Sequence, residues 1–230
     1  SSGSSSSSAR TREREMSVED LVWSAGRVWI GTPFRLLTRA RFYGLERIPP
    51  EGGIVIASNH FSWLDPTLVG GSCSRRIQFV AKIEAHRIPG LGQLIRAHGT
   101  MAIRRGESDR EAVRRMREAV REGGALGLFV EGTRQRSGVP GKVQPGAAMV
   151  ALQEDVPVVP VAIHGTQHWQ PWNLAPCSLV WGEPMRFDGL PRGGRGYKEA
   201  SAEIERELRR LWEWLVEIHR QGRPKDVALP

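Results

Sequence analysis

Cysteine is scarce, with 2 in 230 residues. Cys73 and Cys177 stand far apart, outside any CxxC pair and away from clustered histidines. Neither a disulfide framework nor a structural zinc site follows from them, and both read as plain buried thiols. Long apolar runs are missing too: none approaches the ~18–20 residues of a transmembrane helix. No signal-peptide pattern opens the chain. Ser1 to Ser8, broken by one Gly, reads as a flexible, partly artificial tail, so the expected compartment is the cytoplasm. Several catalytic signatures are absent as well. There is no GxxxxGK[ST], no HExxH and no GxGxxG after a strand. Gly70-Gly71-Ser72-Cys73-Ser74 lacks the last Gly of a nucleophile elbow.

What is present is ordinary in bulk and unusual in balance. A chain of this length buries one substantial core without staples. Charged residues make up 25% and apolar ones 40%, as in soluble globular proteins. The net charge is +8, from 33 Lys and Arg against 25 Asp and Glu, and nearly all the cations are Arg. Such a balance calls for an anionic partner: nucleic acid, a membrane surface or phosphorylated small molecules. Of the aromatics 8 are Trp and 2 are Tyr, and Trp suits both cores and membrane–water interfaces.

Beyond a charged lead-in, Val18, Leu21, Val22, Ala25, Val28 and Trp29 recur at helical spacing. Ser17 can cap this segment, and Trp23, Ile30 and Phe34 widen its apolar stripe. Arg27, Arg35, Arg39 and Arg41 flank it. Residues 17–43 can therefore lie in a bilayer interface or pack on the core as an ordinary helix, and the pattern fits both. Short apolar runs at Ile54–Ala57, Ile77–Ala81, Met101–Ile103 and Leu126–Val130 read as buried strands. Val156–Ile163 reads as a strand whose prolines predict an edge or irregular position. Leu179–Phe187 adds one more. Helices are expected from Asp65-Pro66, after the Ser108–Glu111 capping box with Val113, Met116 and Val120 on one face, and over Lys198–Gly222. Strands alternating with helices argue an α/β domain: a mixed, mostly parallel central sheet flanked by helices, with an amphipathic helical segment before it.

Two polar clusters each follow directly on a buried strand, where open α/β sheets build their sites. In Asn59-His60-Phe-Ser-Trp-Leu-Asp65, the carboxylate can fold back and accept a hydrogen bond from one ring nitrogen. That fixes the tautomer and raises the basicity of the other nitrogen, and imidazole titrates near neutral pH. Base and orienter are present without a protein nucleophile, so the nucleophile would be a substrate hydroxyl. Asp65 could equally be a plain helix cap. In Glu131-Gly132-Thr133-Arg134, backbone N–H groups, a hydroxyl and guanidinium forks suit phosphate oxygens, as does a polar surface loop. Arg104-Arg105 after Met101–Ile103 could join an anion site, and Val156-Pro157-Val-Val-Pro160-Val161 could line an apolar channel or be core. The Arg residues lie among Glu on helices without a recognised nucleic-acid motif, which argues against nucleic acid.

Together these segments resemble the glycerolipid acyltransferase family, and within it the lysophosphatidic acid (1-acyl-sn-glycerol-3-phosphate) acyltransferases. NHFSWLD is similar to the family's NHxxxxD motif, and GTMAIRR to its second motif, with Arg105 as the match. FVEGTRQRSG resembles FPEGTRS, with Val130 at the usual Pro position. VPVVPVAI resembles the fourth motif through Pro160, and Lys82 stands where the family has a basic residue. The resemblance implies transfer of an acyl group from acyl-carrier protein or acyl-coenzyme A to the sn-2 hydroxyl of lysophosphatidic acid, without an acyl-enzyme, metal or further cofactor. It makes His60 the base and Asp65 its orienter. Arg105, Gly132, Thr133, Arg134 and Lys82 would hold the acceptor phosphate, with Glu131 orienting an Arg or a turn. Pro160 and Val161 would serve the acyl donor or its channel. The implied organisation is a tail over 1–16, a membrane-interface segment over 17–43, a catalytic domain over 44–222 and a C-terminal tail over 223–230. The enzyme would sit peripherally on the cytoplasmic face of a membrane. Another lysophospholipid or hydroxylated acceptor is the alternative.

Overall fold

Ile54–Ser58 is buried at all five positions, which demands cover on both faces of the strand and a place inside a sheet. The computed structural model, which describes residues 32–82, 100–103 and 110–230, provides both. The strands are β1 (Arg41–Tyr43), β2 (Ile54–Ser58), β3 (Ile77–Lys82), β4 (Met101–Ile103), β5 (Ala125–Phe129), β6 (Val158–His164) and β7 (Ser178–Trp181). Among the described residues they form one seven-stranded sheet in the order β1-β7-β6-β2-β5-β3-β4. Every pair is parallel except β6 with β7. The helices among the described residues are α1 (Thr32–Leu37), α2 (Asp65–Ser72), α3 (Arg110–Arg121), α4 (Gly146–Glu154) and α5 (Gly194–Arg220). The expected mostly parallel sheet flanked by helices is what the chain forms.

The alternation of side chains along each strand divides the core. Ile54, Ile56, Val161 and Ile163 face Leu64, Leu68 and Val69 from α2 and the turn before it. Val55, Ala57 and Val158 face Met116 and Val120 of α3, the alanines of α4, and Ile204 and Leu208 of α5. Farther along α5, Leu211, Leu215 and Ile218 cover Ala162 and Val180. The α5 stripe recurs every three or four residues, which is why its helix is legible from spacing. Helix α4 lacks such a stripe: Ala147, Ala148, Val150, Ala151 and Leu152 are buried around much of its circumference.

Three sequence expectations need correction. Strand β6 is central, with β2 on one side and β7 on the other. Pro160 is tolerated because its missing donor falls at a break in the β7 ladder. Val161 pairs with Trp181 but Val158 bridges Met185, so one extra residue is accommodated opposite Pro160. The amphipathic segment assigned to 17–43 is not helical to its end. Helix α1 stops at Leu37, and Arg41–Tyr43 extends along β7, so the sheet begins before residue 44. Residues 223–230 are not a loose tail. The buried Arg223 donates to the carbonyls of Arg39 (2.8 Å) and Cys177 (3.1 Å). Tyr43 Oη donates to Pro224 O at 3.0 Å, and Arg47 donates to Pro230 O at 3.1 Å. The tail over 1–16, residues 17–31 with Trp23 and Trp29, Arg105 and the Lys82 side chain lie outside the described residues.

Under the start of this strap, His219 meets the His164 ring edge-on at 4.6 Å, and its Nε2 lies 2.9 Å from Ser178 Oγ. Burial pushes His164 down to about 4 and His219 down to about 3. Both values lie below the ~6.5 of a free imidazole, so the unfolded chain binds protons first. Their contribution to stability is therefore intact above about pH 6.5 and is lost as pH falls toward these folded values. Guanidinium unfolding at pH 7 and pH 5 should show a lower midpoint at pH 5, and His219→Gln should shrink that difference.

Candidate active site

Register places the site. β2 and β5 run parallel with Ser58 opposite Phe129, so the two polar clusters leave the sheet side by side at the carboxyl ends of their strands. Val130 N donates to Ser58 O at 3.0 Å, and Gln135 N donates to His60 O at 2.7 Å. On the other flank the buried Asn59 ties its turn to β6. Its Nδ2 donates to Ile163 O (3.0 Å) and its Oδ1 accepts from Ile163 N (2.8 Å). A side-chain amide thus extends the ladder at the point where β2 ends.

Between these flanks, His60 Nδ1 lies 2.8 Å from Asp65 Oδ2. The same oxygen accepts from Phe61 N and Ser62 N, each at 2.7 Å. Asp65 is fully buried, and its Oδ1 has no hydrogen-bond partner among the described residues. The carboxylate serves the turn and the imidazole, and it does not cap α2, whose N-cap position is Leu64 with no side-chain cap. With a carboxylate at Nδ1, the neutral ring carries its proton there and presents Nε2 as the basic nitrogen. The His60 side chain is 18% exposed, so the ring is held by protein yet reachable.

Its faces are fixed as well. His60 stacks on Phe129 at 4.1 Å between centroids, and Phe129 stacks on Phe79 at 5.8 Å. Gly127 makes room for this platform: a Cβ there would lie 2.6 Å from Phe79 Cδ1 and from Ile77 Cγ2.

Glu131 completes the turn. Oε2 accepts from His60 N at 2.8 Å and Oε1 from Gly141 N at 2.6 Å. Burial pushes this carboxyl up to about 7, the two backbone donors pull it back, and the nearby Asp65 charge raises it further. Glu131 therefore holds backbone on both sides of the turn. Gly132 then turns the chain with φ +69, in the left-handed region, and Thr133 and Arg134 stand exposed beyond it. Arg134 and Arg136 form no salt bridge among the described residues.

His60, Asp65, Glu131 and the Gly132–Arg134 turn thus come together. Pro160 and Val161 are buried in β6 with side chains on opposite faces, Val161 in the α2-side core and Pro160 toward Gly182 and α5, which is a packing role. Asn59, Phe129 and Gly141 escaped the sequence reading as site residues. Asn59 was visible beside His60, whereas Gly141 acts through its backbone N–H and leaves no side-chain signal.

A family model described as Acyltransferase matches residues 39–164, more than half of the chain. The chain belongs to the Acyltransferase family. The match begins just before β1 and ends with β6, so it spans both polar clusters. Among its relatives, the 1-acyl-sn-glycerol-3-phosphate acyltransferase of Bacillus subtilis is 27% identical over 156 residues, covering 66% of this chain and 77% of that one. The lyso-ornithine lipid O-acyltransferase of Pseudomonas aeruginosa is 33% identical over 129 residues, covering 55% of this chain and 49% of that one. The crystal structure of the 1-acyl-sn-glycerophosphate acyltransferase PlsC from Thermotoga maritima superposes with a TM-score of 0.65 at 26% identity, covering 84% and 82% of the two chains.

In this acyltransferase Glu131 satisfies two backbone donors, so its removal should be felt first in stability. Glu131→Ala should lower the unfolding free energy by about 1–3 kcal/mol, the cost of leaving buried donors unpaired. Glu131→Gln, which keeps one good acceptor, should cost less. Urea denaturation of both variants measures the order.

Proposed function

We propose that this chain is an O-acyltransferase that moves a fatty acyl group from an acyl thioester to the sn-2 hydroxyl of lysophosphatidic acid, giving phosphatidic acid. The observation that carries the reading is the 2.8 Å contact between His60 Nδ1 and Asp65 Oδ2, with Nε2 left without a protein partner among the described residues. Nε2 takes the proton of the acceptor hydroxyl as its oxygen attacks the thioester carbonyl. The new C–O bond forms, the C–S bond breaks, and the departing thiolate takes the proton back from the imidazolium. Asp65 steadies the charged ring in between. Acyl-carrier protein or coenzyme A carries the thioester, and the reading requires no metal and no further cofactor.

Direct attack without an acyl-enzyme has support from the thiols and hydroxyls near the site. Cys73 and Cys177 are both 0% exposed, and burial pushes the Cys177 thiol up to about 12, far from a reactive thiolate. The Ser58 hydroxyl donates to Asn59 O, and Ser62 Oγ accepts from Leu64 N. For the acceptor phosphate, Arg134 forms no salt bridge among the described residues and stands exposed beside the turn, and Gly132, Thr133, Lys82 and Arg105 are assigned with it. The segment over 17–43, apart from its β1 residues Arg41–Tyr43, supplies contact with the bilayer at its cytoplasmic face; no helix among the described residues is long and apolar enough to cross a membrane. A different lysolipid acceptor is the second reading, favoured by the similarity to the Pseudomonas lyso-ornithine lipid enzyme.

Purified protein offered a panel of lyso-acceptors with each thioester type, with products identified by mass spectrometry, tests both readings. Phosphatidic acid from lysophosphatidic acid is the expected product. His60→Ala should lower kcat by at least ~10²–10⁴ with the fold intact, and near-normal turnover would remove His60 as the base. Asp65→Asn should be severely impaired, because an amide can hold the wrong tautomer. Arg134→Ala should raise KM for the phosphorylated acceptor roughly ten- to a hundredfold, the worth of a charge-assisted hydrogen bond. A fall in kcat alone would take Arg134 out of the phosphate site.

A further inference from the structure

Large apolar side chains stand exposed around the His60 turn, and the chemistry above uses none of them. Leu36 is 72% exposed, Trp63 56% and Trp172 81%, with Leu37 and Leu174 exposed beside them. Trp63 and Leu37 are joined through one pin. The buried Trp169 meets the Trp63 ring edge-on at 6.2 Å, and its indole N–H donates to Leu37 O at 3.4 Å. Helix α1, the turn after His60 and the loop over 165–176 therefore share one surface.

That loop is held in shape. Asn173 Oδ1 accepts from Gln170 N and Ala175 N, and its Nδ2 donates to His168 O, all at 2.9 Å. Leu174 takes φ +45, a left-handed conformation that leucine adopts only under constraint from its surroundings. A strained, braced loop that points a tryptophan into water calls for a counterpart.

Charge identifies the counterpart. Neither Thr32–Tyr43 nor His164–Trp181 contains a single Asp or Glu. Arg35 and Arg39 are exposed, and the Arg35 guanidinium lies 5.1 Å from the Phe42 ring centre. Leucine and tryptophan cleared of carboxylates and edged by arginine match the layered chemistry of an anionic bilayer surface, where indoles settle among headgroups and cations pair with phosphates. A second copy of the chain fits poorly, because a two-fold contact through this patch brings two sets of Arg35 and Arg39 together with no carboxylate from these segments to pair them.

We propose that Leu36, Leu37, Trp63 and the Trp172–Leu174 tip insert into the headgroup layer of an anionic bilayer, so that the catalytic domain docks on the membrane through its own surface beside His60. The inference rests on the lipid-acyltransferase reading for its purpose. It assigns the 165–176 loop a role separate from residues 17–31.

The test reads docking without turnover. In the full chain, Leu36→Cys and Leu174→Cys are labelled with bimane. Cys73 and Cys177, both 0% exposed, leave the introduced thiol as the reactive one. With vesicles of phosphatidylcholine and phosphatidylglycerol, both labels should shift to the blue and be quenched by brominated acyl chains. A label at Glu122→Cys, near the opposite end of β5, should do neither. Trp172→Ser should weaken partitioning about tenfold, the worth of partly burying one large side chain, and vesicles of phosphatidylcholine alone should bind far less. Unshifted labels at both positions while the protein still sediments with vesicles overturn the proposal. So does a blue shift that rises with protein concentration in the absence of lipid, which makes a second copy the partner. If the lyso-acceptor panel yields no product, the acyltransfer reading fails and the vesicle result stands by itself.

Discussion

The in-register pairing of β2 with β5 is the constraint on which the rest of the site depends. Ser58 and Phe129 end their strands opposite one another, so the next residues of each chain must share one small space. Everything that follows is an arrangement for satisfying backbone polar groups there. Glu131 receives the His60 N–H, Gln135 returns an N–H to the His60 carbonyl, and Asn59 satisfies both polar groups of Ile163 on β6. Leaving such groups unpaired in the interior is costly, so the turn has little freedom to rearrange. The histidine ring inherits this rigidity before any substrate is present.

Asp65 shows how little material such an arrangement needs. One carboxylate oxygen gathers two backbone N–H groups and the imidazole nitrogen. The turn and the imidazole are therefore set by the same atom. Removing that atom would loosen the loop and misorient the ring together, so structural and chemical roles are not separable at this residue. Glu131 does comparable work on the other side of His60, through backbone alone.

The His60–Asp65 pair, the strands that carry it and the α5 stripe were legible because they leave side-chain signals. Continuous apolar runs stop at polar turns, a His and an Asp stand five apart, and leucines recur at helical spacing. Helix α4 was not legible, since small residues buried around most of its circumference show no polar stripe to set a period. Strand β1 was hidden for another reason. Arg41-Phe42-Tyr43 is extended because β7 offers it a free edge, a tertiary cause that local pattern cannot carry. Pro160 misled in the opposite direction. Proline normally marks an edge, and only the one-residue shift against β7 reconciles it with a central strand. Gly141, known to the site through its N–H alone, had nothing to display.

Among the described residues the two outer strands of the sheet, β1 and β4, are three residues each. Long unpaired edges invite strand-to-strand polymerisation between neighbouring molecules, and short ones offer too few hydrogen bonds to hold a foreign strand. On the β1 side, Tyr43 is further engaged by Trp214 and by the carbonyl of Pro224. A chain that gathers on a two-dimensional surface meets its own copies far more often than one free in solution. Edges this short leave a neighbouring copy few backbone groups to pair with, however often the two meet.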